Sequence, residues 1–298
     1  MGNTPGQQSA AAVTTVVATR DRWPQLRESL RHHEGPVVLV DNHSSDGTPE
    51  RVRDEFPDVR VVELRRNRGA VARNVGVQCA TTPFVAFADD DSWWAPEALD
   101  LAATVFRDHP RLGLLAGRTL VGPQERLDPV SQELARSPLG TAPDLPGPSI
   151  LGFVACAAVV RRKAFLQAGG FDPVVFFMGE EERLALDLAG LGWGLSYVEA
   201  VVAHHHPSPD RDAGHRRARE TLAARNRVLT ALMRRRWRTV AQVTRDVVRQ
   251  GPEGRAGLAQ AALRSPLALA RRRPVPLEVE HSKALLEGRS GQAVQVAA

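Results

Sequence analysis

Phe84-Val85-Ala86-Phe87-Ala88-Asp89-Asp90-Asp91-Ser92-Trp93-Trp94 decides how the rest of the chain is read. Five apolar residues in a row predict a strand buried on both faces, because a sheet covered on either side needs no polar alternation. Three carboxylates follow at once. At the carboxyl end of a strand in an open α/β sheet they occupy the edge where ligands bind. Crowded carboxylates raise one another's pKa unless a cation sits among them, and a hard divalent ion is the natural partner. Mg2+ takes one or two protein carboxylates and completes its shell with water and phosphate oxygens. Asp89 and Asp91 fit that role, with Asp90 directed elsewhere. The plain alternative is an acidic turn capping a helix that starts near Pro96, since acids favour helix N-termini.

Upstream, residues 13–18 and 37–40 read as buried-type strands and residues 59–64 as a third, with helices opened by Pro24 and Pro49 between them. Strands alternating with helical segments mark βαβ units and a parallel sheet. Downstream, residues 96–109 predict a helix and residues 112–120 a strand. Residues 122–149 carry Pro123, Pro129, Pro138, Pro143, Pro146 and Pro148 with little periodicity, which predicts a mobile flap or acceptor-facing loop. Residues 153–160 are apolar, Gly169-Gly170-Phe171-Asp172 forms a turn, and a helix runs from Gly179-Glu180-Glu181-Glu182-Arg183 to Leu191. A strand over residues 195–203 then delivers His204-His205-His206.

The 298 residues, 43% of them hydrophobic, allow one sizeable α/β domain and an appendage. Cys79 and Cys156 are the two cysteines, which excludes a disulfide framework or a cysteine-based metal site and predicts a reducing, cytoplasmic setting. No run approaches the ~18 apolar residues of a membrane span, and the first residues lack an apolar leader core. Charge is divided: residues 211–273 hold 17 arginines against Asp212, Glu220, Asp246 and Glu253, leaving +13 there and −8 elsewhere from a total of +5. The expected organisation is a disordered N-terminus at 1–12, a catalytic domain at 13–210, a basic helical extension at 211–273 and a loosely ordered tail at 274–298. Leu222, Val228, Leu229, Leu232 and Met233 share a helical face, and Val240, Val243, Val247 and Val248 repeat the pattern. Such a segment either packs on protein, in this chain or a second copy, or lies on an anionic membrane.

Asp41, at the end of the second strand, is placed to accept hydrogen bonds from a base or ribose. Asn42, Ser44, Asp46 and Gly47 follow it in a turn that also caps the Pro49 helix. His204 is the first residue beyond the last apolar run, so the sheet is expected to hold it rigidly as an imidazole ligand for the ion at Asp89 and Asp91. A carboxylate among Glu180, Glu181 and Glu182 could take the proton from an attacking hydroxyl.

In order along the chain, Asp41-Asn42-x-Ser44-x-Asp46-Gly47-Thr48, then Asn67-x-Gly69 through Arg73-Asn74-x-Gly76, then Asp89-Asp90-Asp91, then Gly169-Gly170-Phe171-Asp172 with Phe176-Phe177, and then Gly179-Glu180-Glu181 resemble the signatures of a family 2 glycosyltransferase. The resemblance spans residues 13–205. It implies the GT-A fold, a Rossmann-like α/β architecture with a mixed, mostly parallel sheet and helices on both faces, here with basic C-terminal helices added. It also implies a metal-dependent inverting glycosyltransferase, using Mn2+ or Mg2+, of the kind that includes rhamnosyltransferases. The expected nucleotide-sugar set is Thr19, Arg20, Asp41, Asn42, Ser44, Asp46, Asn67, Gly69, Arg73, Asn74, Asp89 and Asp90, and the metal set is Asp89, Asp91 and His204. Glu181 takes the general-base position, where the family more often has Asp, and Arg183 stands where an acid is expected, so the base is left between Glu181 and Glu180.

The expected donor is a UDP- or dTDP-sugar and the acceptor a glycan, a lipid-linked molecule or a small molecule, in cell-envelope glycan or glycoconjugate synthesis. Contact with the inner face of the membrane and a homo-oligomer stay open. Two other classes compete. A sugar-nucleotide nucleotidyltransferase would want a glycine-rich loop after the first strand, and residues 18–22 have no glycine. A basic nucleic-acid binder would want aromatic residues among its arginines, and residues 211–273 offer only Trp237. No nucleic-acid partner is therefore expected.

Overall fold

The computed structural model describes residues 11–207 and 213–296. The expected disordered segment at 1–12 lies almost wholly outside them. β1 (Val13–Thr19), α1 (Trp23–Leu30), β2 (Val37–Asp41), α2 (Thr48–Glu55), β3 (Arg60–Glu63), α3 (Ala72–Cys79) and β4 (Phe84–Asp89) alternate as the sequence predicts. β5 (Ser92–Trp94), α4 (Ala98–Asp108), β6 (Leu112–Val121), β7 (Arg126–Leu127), α5 (Pro129–Ala135), β8 (Ala158–Arg161), α6 (Arg162–Gln167), α7 (Glu180–Gly190) and β9 (Gly194–His205) follow. α8 (Ala213–Arg234), α9 (Trp237–Arg249), α10 (Pro252–Ala270) and α11 (Leu277–Val296) complete the described chain.

The sheet order is β3-β2-β1-β4-β8-β6-β9-β5, with β7 paired to β6. β1 pairs in parallel with β2 and β4, and β6 with β9, while β8 runs against both β4 and β6. β1–β4, β6 and β9 therefore point one way, and their carboxyl ends share one edge. Apolar β-branched and aromatic strands are sandwiched between helices on both faces: Val16, Val85, Phe87 and Val160 meet Phe165, Leu184 and Leu188 on one side, and Phe84, Leu115 and Val159 meet Phe106 and Ala102 on the other.

Two expectations are corrected here and one alternative is set aside. The acids do not cap a helix at Pro96, because β5 intervenes and doubles back against the end of β9, Ser92 opposite His205. Residues 122–149 are not a mobile flap. Asp128 accepts the Val130 amide at 2.7 Å, capping α5 with Pro129 at its first turn, and Ser137 Oγ donates to Ser149 O at 2.5 Å, holding the rest. The tail is not loose either, since α11 is drawn in by the buried Arg235 guanidinium, whose Nε meets Glu280 at 2.8 Å and whose Nη1 meets Glu287 at 2.7 Å.

The basic segment is folded onto the α/β half. Val228, Leu229, Met233 and Val247 pack with Val174 and Val175, while Val248 turns outward. Among the described residues no helix is long and apolar enough to cross a membrane.

Candidate functional site

Parallel register places Thr19 beside Asp41 and Ala18 beside Asp89, so the ends of β1, β2 and β4 meet at one edge. A cavity of about 630 Å³ opens there. Arg22, Arg73, the three aspartates, Cys156, Glu180, Glu181, His205 and Arg219 line it.

All three aspartates face this cavity, which corrects the outward placement expected for Asp90. Arg22 grips two of them, its Nε 2.8 Å from Asp90 Oδ1 and its Nη2 2.8 Å from Asp91 Oδ2. Thr19 Oγ1 donates to Asp90 Oδ2 at 3.2 Å, and Arg73 pairs with Asp89. Burial, relieved by Arg22 and reinforced by the charges of Asp91 and Asp89, pushes Asp90 up to about 7. Arg22 is a site residue that sequence reasoning missed; its signal was a second arginine two residues beyond Arg20 in the same loop. Arg20 instead pairs with Asp21 and is not among the residues lining the cavity.

The histidine is also corrected. His205 Nε2 lies 3.4 Å from Asp91 Oδ1, whereas His204 stacks on Trp93 with ring centroids 5.7 Å apart and meets Glu125 at 3.5 Å. The reason is the pleat: β9 continues through His205, and successive side chains point to opposite faces. Burial opposes the charged form of His205, but the hydrogen bond and charge of Asp91 raise its pKa above the ordinary value.

Ligand atoms of Asp89, Cys156 and His205 fall within 4.8 Å of one another. Cys156 is buried, and burial followed by the Asp89 and Asp91 charges lifts its thiol well above the usual range. A neutral thiol does not suit a hard ion. The donor set that fits Mg2+ or Mn2+ is the oxygens of Asp89 and Asp91 with the His205 imidazole.

The two candidate bases differ in surroundings. Glu180 is only 2% exposed, with Oε1 4.0 Å from Arg73 Nη1. Glu181 lines both the acidic cavity and a second one on its far side. Burial, then the Glu180 charge, raises the Glu181 carboxyl. Glu182 points to Lys283 at 3.2 Å. Arg183, standing where an acid is expected, is buried against Asp172 at 3.2 Å and Asp187, so its work is internal.

The segment leading into α7 is backbone-strained. Phe176 and Met178 have φ of 69°, an uncommon region for residues with a Cβ, and Gly179 has 86°. Phe176 O accepts the Ala70 amide at 2.8 Å. Only glycine fits at 69, where a Cβ would stand 2.4 Å from that oxygen. From α8, Asn226 Nδ2 donates to Phe177 O at 2.5 Å and Met178 O at 2.6 Å, and Arg225 Nη2 to Val175 O at 2.9 Å. Sequence reading missed both residues, because within an arginine-rich helix they look like more surface.

The remaining predicted residues divide between ligand-facing and structural positions. Asp41 is buried, accepts the Ser44 amide at 2.9 Å and keeps Oδ1 without a partner. Asn42 ties the two motifs together, donating to Gly69 O at 3.1 Å and accepting the Arg68 amide at 2.7 Å. Ser44 Oγ accepts the Asp21 amide at 3.0 Å, Asp46 holds Thr48 at 2.6 Å, and Asn67 accepts the Gly69 amide at 2.9 Å. Asn74 is displaced from the expected nucleotide set: its amide exchanges hydrogen bonds with the Phe171 backbone, 2.9 Å each, in the Gly170 turn.

A family model described as Glycosyl transferase family 2 matches residues 14–168. A pre-mycofactocin glycosyltransferase of Mycobacterium tuberculosis is 32% identical over 219 residues, 70% of this chain and 46% of that protein. The chain thus spans about half the length of that relative. An N-acetylglucosaminyl-diphospho-decaprenol L-rhamnosyltransferase of the same organism is 29% identical over 57% of this chain and 66% of its own. Among solved structures, a mannosyltransferase from Pyrobaculum calidifontis in complex with GDP-Man and Mn2+ superposes with a TM-score of 0.56 at 22% identity, covering 97% of this chain and 81% of that one, a likeness of fold.

Proposed function

The chain belongs to glycosyl transferase family 2, and from that premise we propose that it moves a sugar, with inversion, from a nucleotide diphosphate to an acceptor hydroxyl with the help of a divalent metal. The observation that carries this reading is the position of Glu181 between two cavities, one lined by Asp89, Asp91 and His205 and the other by a mixture of aliphatic and polar side chains, among them Val130, Leu134, Phe153, Gln132, Glu133 and Arg136. The first suits a metal-bound diphosphate and the second an acceptor. Mn2+ or Mg2+ held by Asp89, Asp91 and His205 would supply the positive charge that a departing diphosphate needs.

In this mechanism Asp41 accepts hydrogen bonds from base or ribose, through the oxygen that lacks a partner. Glu181 takes the proton of the acceptor hydroxyl as its oxygen attacks the anomeric carbon, and the bond from that carbon to the diphosphate oxygen breaks with its electrons. Arg73 holds Asp89 and Glu180 in place. The mannosyltransferase carrying GDP-Man and Mn2+ and the lipid-diphosphate substrate in the rhamnosyltransferase's name support a sugar-nucleotide donor and a cell-envelope role. UDP- and dTDP-sugars are the donors proposed, and contact with an anionic membrane belongs to the same reading.

Calorimetry with UDP, dTDP and GDP tests it. Binding is expected with Mn2+ or Mg2+, and at least tenfold weaker with chelator. Asp91→Asn and His205→Ala should each abolish the metal-dependent part. Equal affinity with and without chelator would sink the metal role, and failure of all three nucleotides would sink the donor reading.

A further inference from the structure

β8 runs against β4 and β6, so its beginning lies at the edge where those strands end. A single 3-10 turn, Ala155–Ala157, leads into it and sets Cys156 in the acidic cavity with 1% of its surface exposed. The register that puts Ala86 opposite Val159 carries this turn on to Asp89, at the end of β4. His205 ends β9. Among the described residues these are the three ligating side chains that converge, one atom of each within 4.8 Å of the other two. Two cysteines far apart in a sequence suggest no metal site, but folding supplies the missing ligands from other strands.

This set differs in chemistry from the one that suits a hard ion. Asp91 belongs to the hard-ion set alone, and Arg22 holds its Oδ2 at 2.8 Å. Arg73 engages Oδ1 of Asp89, and a carboxylate has a second oxygen to give. Sulfur, imidazole and carboxylate together suit Zn2+, for which three protein ligands and one open position are a common arrangement. Zn–S of about 2.3 Å and Zn–N or Zn–O of about 2.1 Å ask each atom to move inward by about 0.7 Å or less from the observed spacing. Mg2+ and Mn2+ gain little from sulfur, whereas a thiolate selects zinc.

We propose that Asp89, Cys156 and His205 form a second coordination mode of the cavity, one that takes Zn2+ or a similar thiophilic divalent ion as a thiolate complex and excludes the hard ion. As the Zn–S bond forms, the thiol proton leaves to solvent. The two modes share Asp89 and His205, so they are not filled together. The zinc site stands without the transferase reading, and its consequence for the nucleotide rests on that reading.

Co2+ is the probe, added to the full chain without oxygen, because a cobalt–thiolate bond absorbs in the near ultraviolet by charge transfer and carboxylate or imidazole ligands give no such band. One equivalent should raise the band, equimolar Zn2+ should remove it, and equimolar Mg2+ should not. Cys156→Ser should abolish it, whereas Cys79→Ser, at the half-buried cysteine of α3, should leave it. Zinc affinity by calorimetry should fall at least about tenfold in Cys156→Ser, since even residues that merely orient a metal ligand are worth about 10- to 100-fold. Asp91→Asn should keep the band while weakening Mg2+-dependent UDP binding. In the native protein one equivalent of Zn2+ should suppress that UDP binding, and chelator followed by excess Mg2+ should restore it. Cobalt binding without the band, a band that survives Cys156→Ser, or one lost in Asp91→Asn at an unchanged melting temperature overturns the second mode. UDP binding undiminished with zinc bound overturns the exclusion. The band in a chain that binds no nucleotide would remove the transferase reading and leave the zinc site.

Discussion

Glu180 lies 4.0 Å from the Arg73 guanidinium with 2% of its surface exposed, while its neighbour Glu181 borders two cavities. Glu181→Gln is expected to keep nucleotide binding and lose transfer by about 10²- to 10⁴-fold. Glu180→Gln should lose far less, since it leaves the proton acceptor in place. Paired rate and binding measurements decide this, and the reverse pattern would make Glu180 the base. Burial and the Glu180 charge push the Glu181 carboxyl up to about 8. A base works only when deprotonated, so transfer should rise with pH through that range and level off above it, and Glu181→Gln should flatten the profile. At this scale the acidic triplet and the glutamate run were legible because each sits at the end of an apolar run. The facings of Asp90 and of His204 against His205 were not. A turn of three acids has no fixed period, and at a strand's end the facing depends on the residue where pairing stops.

Elements explain how such a carboxylate is held. The turn into α7 combines positive φ at Phe176, Met178 and Gly179, and a strained backbone persists only where its surroundings over-determine it. Asn226, buried in α8, does so by donating to two consecutive carbonyls. Asn226→Ala should lower the transfer rate at least tenfold while changing nucleotide affinity little, because the metal-site residues stand on β4, the turn after it and β9. Asn226→Asp should be worse, since it sets an anionic oxygen against those carbonyls. If nucleotide affinity and rate fall together, Asn226 supports the whole cavity and not the base alone. α11 depends on a buried charge: Arg235 is 2% exposed and meets Glu280 and Glu287. Glu280→Ala leaves that guanidinium half-paired and should cost about 3 kcal/mol in denaturant unfolding, whereas a loosely attached tail would show no change. The βαβ half was legible from alternation of strand and helix. α5 and α11 were not, because their helical signals are a single cap and a partner arginine 45 and 52 residues from the glutamates it holds.

At the scale of the molecule, the sequence showed amphipathic stripes in a +13 segment but not what they cover. Val228, Leu229, Met233 and Val247 cover Val174 and Val175 beneath the catalytic half, so the inner stripes are spent on packing. What they leave outside is a face of α10, where Leu263 is 84% exposed and Leu267 58%, one turn apart. Arg255, Arg271 and Arg273 are exposed at its two ends. Apolar side chains flanked by cations match the boundary of an anionic bilayer, where each arginine near the surface contributes on the order of 1 kcal/mol. The full chain is therefore expected to sediment with vesicles in proportion to their phosphatidylglycerol content and to be released by salt, since screening at ~0.5 M shortens electrostatic reach to a few ångströms. Leu263→Asp with Leu267→Asp should weaken the association at least tenfold without lowering the melting temperature or nucleotide binding. Binding that ignores anionic lipid and salt would remove the arginines from the account. No vesicle binding together with a dimer that Leu263→Asp dissociates would assign this face to a second copy of the chain.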